Sequence, residues 1–87
     1  MNKAKEFLWE KYNIPPDVMG AERICITSNR EIYIENYKSI VHYSASEVVL
    51  LTSTGLVHLC GKDIVIGLLC RNELLVTGVF EKIYYEI

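Results

Sequence analysis

Arg23-Ile24-Cys25-Ile26-Thr27, then Ser28-Asn29-Arg30, then Glu31-Ile32-Tyr33-Ile34-Glu35 is the stretch that decides the fold. Ile24 and Ile26 alternate with Cys25 and Thr27, and Ile32 and Ile34 with Tyr33 and Glu35. A period of two puts the isoleucines on one face of a strand and the polar residues on the other. Ser28-Asn29-Arg30 carries side chains suited to a turn, so the two runs read as a β-hairpin.

The same rhythm continues toward the C-terminus. Asn36–Lys38 breaks it, Ile40–Tyr43 resumes it, and Ser44-Ala45-Ser46 is the next turn. Val48–Thr52 closes at Ser53-Thr54-Gly55, Leu56–Cys60 ends at Gly61-Lys62, and Ile64–Cys70 is followed by Arg71-Asn72. Leu74–Thr77 runs to Gly78, and Phe80–Ile87 is last. The reading is a mainly β domain: a small antiparallel meander, roll or sandwich of about eight short strands. Gly55, Gly61 and Gly78 suit hairpin positions that require positive φ. Glycines at 55, 61 and 67 recur every six residues, but the intervening residues do not repeat, which argues against a β-helix.

Toward the N-terminus the period changes. Ala4, Leu8 and Tyr12 recur at helical spacing with Phe7 beside them, and Asn13 and Pro15-Pro16 stop the run. This predicts a short N-terminal α-helix packed on the sheet, with a helix and linker over residues 1–20 and a β-domain over residues 21–87. Phe7, Leu8 and Trp9 beside Lys3, Lys5 and Lys11 would also suit a membrane surface, an option that Glu6 and Glu10 weaken.

Composition narrows the function. The 87 residues are 51% hydrophobic with a formal net charge of −2, and mean hydropathy is +0.17. One small domain buries roughly 60–65% of its surface, so this much apolar material must be covered by the chain or by a second one. Lys and Arg are scattered with no basic stripe, which argues against nucleic acid. The longest apolar run, Ile64–Cys70, is far short of the roughly 20 residues of a membrane helix, and the N-terminus lacks the apolar core of a signal peptide. The odd count of cysteines, three, fits reduced thiols in a cytoplasm. Val48–Leu51, Ile64–Leu69 and Leu74–Val76 are apolar on both faces, so cover is needed on both faces. This predicts a homo-oligomer or a partner protein.

No catalytic pattern emerges. The serines sit in turns or at strand edges, no nucleophile elbow or glycine-rich phosphate loop precedes a helix, and the carboxylates flank turns. No enzyme, cofactor or small-molecule substrate is expected. His58 and Cys60, two apart on one strand, share a face and would make half of a metal site, but paired ligand spacing is missing. A small metal- or ligand-binding module using these two is the alternative reading. Six tyrosines suit half-buried sheet faces and interfaces. Tyr33, Glu35, Asn36, Tyr37, Tyr84 and Tyr85 are the candidate interface residues.

One ordered set of residues goes further. Ile34-Glu35-Asn36-Tyr37, Tyr43-Ser44, Thr52, Gly55, Gly61-Lys62-Asp63 and Glu73-Leu74 through Gly78 resemble the YabP/YqfC family of sporulation proteins over about three quarters of the chain. His58 and Cys60 depart from the plain strand expected before the glycine. The resemblance implies a small non-enzymatic protein of endospore formation. It implies a place in the mother-cell cytoplasm, or at the periphery of the forespore membrane. The YqfC-like branch further implies a membrane-anchored YqfD-like sporulation partner.

Overall fold

The computed structural model describes residues 20–87. Six strands form one antiparallel sheet: β1 (Arg23–Thr27), β2 (Glu31–Glu35), β3 (Ser39–Tyr43), β4 (Glu47–Leu51), β5 (Leu56–Leu69) and β6 (Glu73–Glu86). Their order across the sheet is β1-β2-β6-β5-β4-β3. The β1–β2 hairpin is as the alternation predicts, with Ile24 opposite Ile34 and Ile26 opposite Ile32.

Two expectations are corrected. Among the described residues there are six strands, not about eight short ones, because the last four segments fuse into two strands of 14 residues each. Gly61-Lys62-Asp63 and Gly78, which read as turns, are bends inside continuous strands. The β5–β6 register slips there, between Cys60 and Gly61 and between Lys62 and Val65. Asp63 takes the left-handed conformation at φ 54°, a local kink of the kind β-bulges produce. The N-terminal helix falls on residues outside those described, and among the described residues there is no helix. Among the described residues, the strands cover one another's apolar faces.

The bend divides the sheet in two. In the first layer, β1 pairs with β2, β2 with Glu73–Thr77 of β6, and that stretch of β6 with Val65–Leu69 of β5. In the second, Lys82–Glu86 of β6 pairs with Leu56–Cys60 of β5, followed by β4 and β3. Ile32, Ile34, Leu74 and Val76 from the first layer and Val48, Leu50, Val57 and Leu59 from the second form one fully buried cluster. Each contributes about 1.5–3 kcal/mol by leaving water. One face of each layer is thus buried against the other, as in a small sandwich.

Topology requires this folding. β2 and β3 are four positions apart in the strand order, or roughly 19 Å in a flat sheet. Asn36–Lys38 is all that joins them, and its four Cα steps reach about 14 Å at most. The layers must fold together until their far ends meet. Asn36 there adopts φ 62°, and its backbone N–H donates to Asn72 O at 2.8 Å. Lys38 N–H donates to Leu51 O at 2.7 Å. The short link holds the tip of the β5–β6 hairpin to the end of β4.

Candidate functional site

The six candidate interface residues do not share one surface. Tyr33 and Glu35 lie on the outer face of the first layer, because their neighbours Ile32 and Ile34 point inward with no exposure. Arg23 Nη1 donates to Glu35 Oε1 at 2.7 Å, and Tyr33 Oη donates to Glu35 Oε2 at 3.4 Å. Desolvation, helped by bonding to Glu73, pushes the Tyr33 hydroxyl up to about 12. Tyr84 lies on the outer face of the second layer. Asn36, Tyr37 and Tyr85 are at the end where the layers meet.

Three of the tyrosines stitch layers together. Tyr37 is only 8% exposed and donates its hydroxyl to Cys70 O at 3.2 Å, so its ring belongs to the core. Tyr43 Oη donates to Ile64 O at 3.4 Å. Tyr85 Oη donates to Glu22, which also accepts from Ser53 and Thr54. Burial, with that bond second, raises the Tyr85 hydroxyl to about 12.

The densest polar group is on the outer face of the second layer. His58 and Cys60 share this face, as their spacing predicts. The register sets Glu47 opposite Cys60 and Tyr84 opposite His58. His58 Nδ1 lies 2.9 Å from Glu47 Oε2 and Nε2 lies 2.8 Å from Glu86 Oε1. Its ring stacks on Tyr84 at 4.5 Å between centroids, and Lys82 Nζ sits 4.7 Å from the centre of the same Tyr84 ring. An ionised carboxylate only accepts hydrogen bonds, so two of them flanking the ring favour its protonated form, in which both nitrogens donate. The bonds to Glu47 and then Glu86 raise its pKa, against desolvation. The bond from His58 holds Glu47 below its ordinary value, and burial pushes the Cys60 thiol up. Glu47, Glu86 and Lys82 come from β4 and β6, strands whose register is invisible in the sequence around His58.

Both ring nitrogens of His58 are engaged by carboxylates. Among the described residues no group of three or more His, Cys, Asp and Glu is placed to hold a metal ion. The cluster instead ties β4 and β6 to β5, which makes its strength depend on pH. The His58 contribution is fully present below the ordinary histidine value of 6.5 and is lost as pH rises through the raised folded value. The Glu47 contribution is present above 4.5 and is lost as pH falls through the lowered folded value. Melting temperatures of wild type and His58→Gln should therefore differ most between pH 4.5 and 6.5 and converge on either side. A difference that is the same well below pH 4.5 and well above pH 6.5 as between them would show that the pairing is not ionic.

A single antiparallel sheet folded into two layers, with a cluster of paired charges on one outer face, defines a small all-β domain. Residues 19–87 match the model of the YabP family. The chain is also 34% identical over 85 residues to a Bacillus subtilis (strain 168) protein named "Uncharacterized protein YqfC", covering 97% of this chain and 91% of that one. The chain belongs to the YabP/YqfC family of non-enzymatic, sporulation-associated proteins. Among the described residues no helix is long and apolar enough to cross a membrane.

Proposed function

We propose that this protein serves spore formation by self-assembly, as a building block in the mother-cell cytoplasm that joins further copies through its sheet. The observation that carries this is an uncovered apolar edge. Val65, Leu68 and Leu69 at the end of β5 are 54%, 44% and 59% exposed, on a strand end whose sequence from Ile64 to Cys70 contains no charge. Exposed apolar strand edges invite pairing with another chain. Family membership supports the setting.

Light scattering on size-exclusion fractions over a concentration series, with electron microscopy of the concentrated protein, tests the reading. Dimers or larger species that grow with concentration are expected. A monodisperse monomer at every concentration sinks it and shifts the weight to docking on a YqfD-like membrane partner at the forespore periphery. Co-purification from a cell making both chains would then measure that docking.

A further inference from the structure

We propose that a second copy of this chain pairs antiparallel with the Val65–Leu69 edge of β5, about a two-fold axis at Gly67. This rests on the self-assembly reading and specifies its surface and register. In the first layer β5 pairs only with β6, while β4 pairs with β5 only over Leu56–Cys60. The side of Val65–Leu69 away from β6 has no strand partner among the described residues. Tyr43 and Tyr37 bond the carbonyls of Ile64 and Cys70 and so bracket this open run. Within it, Gly67 has no register partner even on β6, because Ile66 faces Val76 and Leu68 faces Leu75.

Charge and shape select a second copy as the occupant. Antiparallel pairing of this edge with itself, centred on Gly67, sets Val65 against Leu69 of the second copy and Ile66 against Leu68. One step outside the apolar run it sets Asp63 against Arg71 of the second copy, once at each end. Both residues are exposed, and neither has an ion-pair partner among the described residues, where Arg23, His58 and Lys62 supply the cations of the ion pairs. Such a two-fold contact is self-complementary. It leaves only glycine where the two backbones cross the axis, and a Cβ on Gly67 would have nothing nearer than 3.8 Å within its own chain. The first layers of two copies would form one continuous eight-stranded sheet.

Sedimentation equilibrium on the full chain tests this. Leu69→Lys, at a position already exposed in the monomer, should weaken association at least 100-fold. Arg71→Glu should weaken it about 5- to 10-fold, as expected for two symmetry-related surface ion pairs. Asp63→Lys combined with Arg71→Glu should return it to near the wild-type value. In a chain carrying Cys70→Ser, Gly67→Cys should form a disulfide-linked dimer under mild oxidation, since only a residue on the axis meets its own copy. Self-association that persists unchanged in Leu69→Lys, with no cross-link at position 67, overturns this interface and leaves the self-assembly reading standing. A wild-type monomer at all concentrations, including one whose residues 1–19 cover the edge, overturns both.

Discussion

Gly61→Ala is expected to destabilise the fold by roughly 3–5 kcal/mol, a large share of the stability of a small domain. At this position β5 bends across β6. A Cβ there would overlap the carbonyl oxygen of Val79 and stand 2.9 Å from the Cα of Phe80. Both are backbone atoms, so no rotamer change relieves the clash; β6 itself must move. Moving it separates the strands at the bend that brings the two layers together. Gly67→Ala is the control, because its Cβ would meet only ordinary van der Waals contacts near 3.8 Å. That change should stay within about 1 kcal/mol of wild type. Urea unfolding followed by circular dichroism measures both. Equal midpoints for Gly61→Ala and wild type would show that the bend is not held by this close approach.

The same glycine shows where sequence reading stops. Alternation of apolar residues is a local property, and it located the inward face of β2 from Ile32 and Ile34; on the edge strand β1, Ile24 is partly buried while Ile26 stays 53% exposed. Whether Gly61-Lys62-Asp63 ends a strand or kinks it depends on what pairs alongside. The composition is that of a turn, while pairing with β6 on both sides makes it a bend. Gly78 was legible as a position for positive φ, and it does adopt φ 153°. Gly61 has a different cause, which is proximity. At the polar cluster, two-residue spacing correctly put His58 and Cys60 on one face. Glu47 and Glu86 lie 11 and 28 residues away in the chain, so their convergence follows only from the register of three strands. Tyr37, flanked by Asn36 and Lys38, reads as a candidate interface residue. It is buried because the link that carries it must cross between layers, a consequence of strand order that no local pattern encodes.

Removal of the Tyr37 ring is expected to be the most damaging change in that link. Tyr37→Ala should cost about 3–5 kcal/mol, the range for deleting a buried aromatic side chain. The ring packs in the central cluster, at the point where β2 passes into β3 and the far ends of both layers meet. Tyr37→Phe separates the two contributions of this side chain. It keeps the packing and removes only the hydroxyl that bonds Cys70 O, so it should cost about 1 kcal/mol. The carbonyl left behind still accepts a weaker bond from Glu73 N–H at 3.4 Å, which limits the penalty of an unsatisfied buried acceptor. Hydrogen exchange adds a local readout. In Tyr37→Phe, amides near the hairpin tip at Cys70 and Glu73 should exchange faster while those of Val57 and Leu59 keep their protection. If the phenylalanine variant instead loses as much stability as the alanine variant, the hydroxyl and not the ring closes the two layers. The strap would then act through one hydrogen bond at the hairpin tip, and its packing in the core would be secondary.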